Sequence, residues 1–227
     1  MKKITIVLLA AVMAISLCCC SQNKKNNEPE VLYETETPNP NNGITKIYRI
    51  DKLDPPSEQD YSFDTSAKTK EDVESSVRAV VTAKIIKSDD LAIDYTYNEN
   101  STTSYISYVE IQITDVFTDT NNELQKGSKV KIYYINNTHT YVNALPLMKE
   151  GEEYFMFLTT MVTPFHEYGK YYIYMPQTLL FKKNENGFYD FSKMLEVFTL
   201  EDFGLVEGAV PTLDIMHEFF SNTKSDQ

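Results

Sequence analysis

Runs of alternating apolar and polar positions along the chain predict a protein built mainly of β-strands. Thr69-Lys70-Glu71-Asp72 combines a capping hydroxyl with first-turn acids, which predicts a short helix ending near Ser76. From Val77 the period becomes two. Val77, Ala79, Val81, Ala83 and Ile85 share one face opposite Arg78, Thr82 and Lys84, with Val80 and Ile86 making that second face partly apolar. A polar stretch from Ser88 to Ser104 reads as an insertion. Val109, Ile111 and Ile113 then alternate with Tyr108, Glu110, Gln112 and Thr114, the pattern of a half-buried strand. Asp119 to Asn122 predicts a turn, and Lys129 to Tyr134 another alternating strand. Tyr154 to Val162 is apolar on both faces, as a central strand would be.

Tyr171 to Met175 and Thr178 to Phe181 continue the sheet, with Pro176 at an edge or bend. Asn184-Glu185-Asn186-Gly187 is a hairpin signal. After Pro211, Leu213, Met216, Phe219 and Phe220 fall at helical spacing, predicting an amphipathic helix that covers one opening of the sheet. Five or six successive strands with helical ends predict a small, OB-like Greek-key β-barrel with a short N-terminal helix and a C-terminal amphipathic helix.

The first twenty residues have a different character. Lys2 and Lys3 precede an apolar stretch from Ile4 to Leu17, the layout of an export signal and shorter than the roughly 20 residues a bilayer span needs. Leu17-Cys18-Cys19-Cys20-Ser21 resembles the lipobox of bacterial lipoproteins, a leucine, two small residues and the cysteine that is lipidated. Leu17 in the first place selects Cys20 as the lipidated residue, with Cys18 and Cys19 standing where Ala, Ser or Gly are usual and remaining alternative sites. The resemblance implies a mature chain starting at Cys20, fatty-acylated and held extracytoplasmically on the cell membrane. All three cysteines lie in this leader, so the body must hold together without disulfides.

Ser21 to Gly43 carries six asparagines and three prolines and few apolar residues, a composition that cannot offset its own ordering entropy. The expected organisation is a leader over residues 1–19, a lipidated, flexible tether over 20–65 and one barrel domain over 66–227. As a coil the tether would reach roughly 35–40 Å. Ile44, Ile47, Ile50 and Leu53 offer a strand or turn that could dock on the domain.

The formal charge is −12, and −14 without the leader lysines, which disfavours nucleic acid and anionic headgroups as partners. A cationic or neutral partner, protein or glycan, fits better.

Candidate chemistry is sparse. His139, His166 and His217 share no ligand spacing, so no metal site is expected. Asp119-x-Asn121-x-Glu123 has the alternation of a calcium loop, but Leu124 replaces the required glycine, and a solvated hairpin turn is the simpler reading. Asp89-Asp90 reads as a solvated strand end. No Gly-x-Ser-x-Gly elbow or phosphate-cradling glycine loop is present. Neither a catalytic residue nor a cofactor is therefore assigned. Tyr133, Tyr134, Tyr171, Tyr172 and Tyr174 raise the idea of a sugar-stacking surface, but tyrosine is an ordinary strand residue and no Trp is present, so core and sheet-surface packing is the favoured reading.

Val80 to Ile85, Val109 to Phe117, Lys126-Gly127, and Leu145-Pro146-Leu147 through Gly151-Glu152-Glu153-Tyr154 to Leu158 follow an order that resembles netrin-like domains. That is the fold of the tissue inhibitors of metalloproteinases, and uncharacterised lipoproteins of low-GC Gram-positive bacteria are similar. The resemblance covers about Val77 to Met161 and implies an OB-type barrel. It also implies peptidase inhibition as an alternative. The family's free N-terminal cysteine and bracing disulfides have no counterpart here, so its zinc-chelating mechanism does not transfer. The expectation is a non-enzymatic binding module at the cell surface, with inhibition, or an enzyme whose site assembles only in three dimensions, as the rival readings.

Overall fold

The computed structural model describes residues 29–40, 43–50, 57–59, 69–134, 140–142, 145–160 and 170–222. The stretch expected to be a leader, with Cys18, Cys19 and Cys20, lies outside them. The described chain is mainly β. Its main sheet contains β1 (Val31–Glu34), β2 (Ile44–Arg49), β4 (Ala79–Tyr97), β5 (Asn100–Asp119), β6 (Lys129–Tyr134), β8 (Glu153–Thr160), β9 (Tyr171–Ile173) and β10 (Leu180–Lys182). Two short parallel strands, β3 (Ser57–Gln59) and β7 (Thr140–Val142), form a separate pair.

Five strands of the main sheet make a barrel-like ring in the order β4-β5-β6-β9-β8, closed by pairing of β8 back onto β4. Every pairing is antiparallel except β6 with β9. The last two ring strands are exchanged relative to chain order, the Greek-key arrangement expected of an OB-like barrel. Alternation fills the interior. Val81, Ala83 and Ile85 from β4, Val109, Ile111 and Ile113 from β5, Ile132 and Tyr134 from β6, Met156 and Leu158 from β8, and Ile173 from β9 form one buried cluster. As its composition requires, β8 is buried on both faces, and it pairs with β4, β9 and β10.

The helix α1 (Lys70–Ser76) starts where the capping signal places it. Thr69 and Asp72 exchange bonds, the Asp72 N–H donating to the Thr69 hydroxyl and the Thr69 N–H to the Asp72 carboxylate. Its buried Val73 joins a second cluster outside the barrel wall, built from Val80, Phe155, Phe157, Phe181, Phe191, Met194 and Phe203. The C-terminal helix α2 (Leu213–Asn222) adds Met216 and Phe220, the latter edge-on to Phe157 at 5.6 Å. This corrects the expected docking. Helix α2 covers the outer wall, where the odd-numbered phenylalanines of β8 need cover, and not an opening of the barrel.

Two further expectations change. Ser88 to Ser104 is no insertion between strands. Strands β4 and β5 run on together past the barrel as a long ribbon, paired from Ala79↔Asp119 to Tyr97↔Asn100. The ribbon closes through Asn98 and Glu99, both at positive φ (48° and 66°), as a two-residue turn requires. Leu91, Ile93 and Ile106 are buried on one face of it. That face is covered with help from β2, whose Ile44 and Ile47 are buried there, and Tyr33 of β1 packs beside them. Ordered chain therefore precedes residue 66, and the segment treated as tether contains two strands of the sheet. The apolar period of Ile44 and Ile47 prevails over the polar composition around it. Gly43 makes the approach possible: its φ is +69°, and a Cβ there would sit 2.3 Å from the Thr96 carbonyl oxygen.

Candidate functional site

Once the inward residues of the ring strands are assigned, the opposite set is determined by the pleat. On β5 it is Tyr108, Glu110 and Gln112; on β6, Lys129, Lys131 and Tyr133; on β9, Tyr172. Register aligns three of these. Tyr108 is opposite Tyr133, and Tyr133 is opposite Tyr172, so three half-buried tyrosines stand side by side on three adjacent strands. At the usual strand spacing the row is about 10 Å wide.

The row is braced on one flank and polar on the other. Tyr108 and Tyr133 pack against the buried cluster of Ile44, Ile47, Leu91, Ile93 and Ile106. Below them Lys129 pairs with Glu110 at 3.5 Å. The Lys131 ammonium lies 5.1 Å from the Tyr108 ring centroid, and that phenol holds it above its ordinary value. Burial, with Tyr174 nearby, raises the Tyr172 phenol. Rings fixed by packing beside exposed donors and acceptors can stack on one face of a ligand and hydrogen-bond its edges.

A second cluster gathers chemistry-bearing groups but uses them on itself. Glu153 accepts from Lys183 (3.2 Å) and Tyr189 (2.9 Å), while the Thr114 hydroxyl donates to buried Thr82 at 2.8 Å. The neighbouring Glu152 accepts from Tyr154 (2.7 Å) and Lys182 (2.5 Å). These two sets fasten β10 and the following turn to β8.

The candidate residues named from the sequence are dispersed. His139 and His166 lie outside the described residues, as does Cys20. His217 is exposed on α2, its ring 5.1 Å from that of Phe117. The turn is solvated from Thr120 to Glu123, as expected, but the Asp119 that opens it is buried. Asp119 is 3 % exposed, and its carboxylate accepts backbone N–H groups from Asn121, Glu123 and Leu124 at 3.0, 2.6 and 2.7 Å. Glu123 meets Lys170 and the Tyr171 hydroxyl. The carboxylates of Asp119 and Glu123 are thus engaged by the protein, and the described residues contain no group of three or more potential metal-binding side chains.

Asp89 and Asp90 lie within β4 and do not end it. Asp89 pairs with Lys87 and Arg49, and Asp90 accepts from Ser107 at 2.7 Å. Of the five tyrosines, Tyr134 and Tyr171 point into the barrel, Tyr174 packs with the outer phenylalanines, and Tyr133 and Tyr172 belong to the row. Tyr108 was missing from the sequence-derived set. Its place one period before Glu110 was visible, but its partner depends on register.

Comparison with protein-family models, curated proteins and solved structures yields no match. Among the described residues no helix is long and apolar enough to cross a membrane.

Proposed function

We propose that this chain is an extracytoplasmic lipoprotein, anchored through Cys20, whose barrel is a non-enzymatic binding module for a neutral glycan at the cell surface. The row Tyr108-Tyr133-Tyr172 carries the reading. Tyrosine rings offer an apolar face with a polar rim, which suits a sugar ring that is apolar on its face and hydroxylated at its edge. Lys129, Lys131, Glu110 and Gln112 supply donors and acceptors beside them. The net charge of −12 disfavours polyanionic glycans. OB-type barrels bind oligomeric ligands across the corresponding second and third strands, here β5 and β6.

The anchor rests on the leader and lipobox pattern of residues 2–21. Two or more acyl chains hold a protein stably where one does not. Titration calorimetry of the full chain against soluble neutral cell-wall oligosaccharides tests the binding reading. Tyr133→Ala and Tyr172→Ala should each weaken binding at least tenfold, about 1.4 kcal/mol. Absence of binding, or binding unchanged in both variants, contradicts it.

A further inference from the structure

We propose that the outer edge of β1 is a second membrane contact, with Val31 and Leu32 seated against the lipid headgroup surface. This inference rests on the anchored reading and adds an orientation to it. Val31 follows Cys20 by eleven residues. Even fully extended, that length reaches only about 40 Å, and as a coil it averages about 18 Å. A tether of the length expected from composition would leave the body free to tumble. Docking of β1 onto β2 removes most of that length and holds one edge of the sheet near the bilayer.

That edge has the chemistry for the contact. β1 ends the main sheet, and Val31 and Leu32 are 43 % and 42 % exposed. Leu32 is the extra residue of a bulge, since Val31 pairs with Tyr48 and Tyr33 with Ile47. Bulges of this kind redirect a side chain at a sheet edge. Two acids of the edge are paired, Glu30 with Arg49 and Glu34 with Lys46, each at 3.2 Å, while Glu36 beyond them is exposed. Lys24 and Lys25 in the connecting segment add positive charge. These cations offset part of the repulsion that an acidic body feels from anionic headgroups. Tethering also supplies a high effective concentration, so a small apolar contact suffices.

Other large apolar side chains are exposed far along the chain, among them Val206 and Val210, and they provide the control. Leu32→Cys and Val210→Cys variants of the full acylated chain are labelled with one fluorophore and bound to vesicles of phosphatidylethanolamine with a minority of phosphatidylglycerol, carrying a headgroup quencher. The label at position 32 should be quenched several-fold more than that at 210. Inserting a long Gly-Ser spacer after Asn27 should abolish the difference. Equal quenching, or stronger quenching at 210, in an acylated and vesicle-bound chain overturns this inference alone. A chain recovered from the producing cell with no acyl group on Cys18, Cys19 or Cys20 overturns the anchor reading and this inference with it.

Discussion

Glu153 at the start of β8 and Tyr189 beyond the C-terminal hairpin turn meet through a 2.9 Å hydrogen bond, the phenol donating to the carboxylate. Lys183 donates to the same carboxylate at 3.2 Å, so one acid fastens the hairpin to the barrel wall. Glu153→Ala should lower stability by about 2 kcal/mol, because it strands a half-buried phenol and an ammonium. Urea unfolding of Glu153→Ala, Tyr189→Phe and the double variant should show non-additivity of at least about 0.5 kcal/mol.

Asp119 organises the turn after β5 by accepting three backbone N–H groups while almost wholly buried. Asp119→Ala leaves those donors without acceptors and should cost about 3 kcal/mol. Asp119→Asn keeps one acceptor oxygen and should cost less, in the same urea experiment.

The ribbon turn holds Glu99 at a φ of 66°, where an L side chain is strained. Glu99→Gly should stabilise the protein by up to about 1 kcal/mol and raise its thermal midpoint. A loss of stability would show that the turn differs from the one described.

Stability should fall at both extremes of pH. Hydrogen bonds from Lys70 and Thr199 hold Asp202 below its ordinary value despite the opposing effect of burial, and Lys182, Tyr154 and the Lys149 N–H do the same for Glu152. The Ser192 N–H lowers Asp190. In acid the unfolded chain takes up protons first, so this stability is present above about pH 4.5 and is lost as pH falls through the lowered folded values. Burial first, then adjacent carboxylates, raises the phenols of Tyr154, Tyr171 and Tyr189. Their contribution is complete below about pH 10 and is lost above it, where unfolded tyrosines ionise. Urea midpoints across this range should trace a plateau with two falling flanks.

Much of the fold was legible because local signals agreed with it. The Thr69 cap, the alternation of Val109 to Ile113, the two-sided apolar run of β8 and the Asn184–Gly187 turn each appear where their residues placed them. The ribbon was harder to read because Ser88, Asp89 and Asp90 punctuate a strand whose apolar alternation resumes at Leu91 and Ile93. Those two residues are buried by β2, a partner more than forty positions earlier. The amphipathic pattern of α2 showed which of its residues are buried, but could not show what they meet. The tyrosine row was half legible for a related reason: alternation separates Tyr133 from Tyr134 and Tyr171 from Tyr172, whereas neighbours across strands follow from register alone.

Location underlies the proposed binding role and the membrane contact alike, and the mature N-terminus reports it most directly. Mass spectrometry of the chain recovered from the membrane fraction should find a polypeptide beginning at Cys20 and carrying a diacylglyceryl group on Sγ. An unacylated N-terminus, or unchanged membrane association when Cys18, Cys19 and Cys20 are all replaced by serine, would contradict the account.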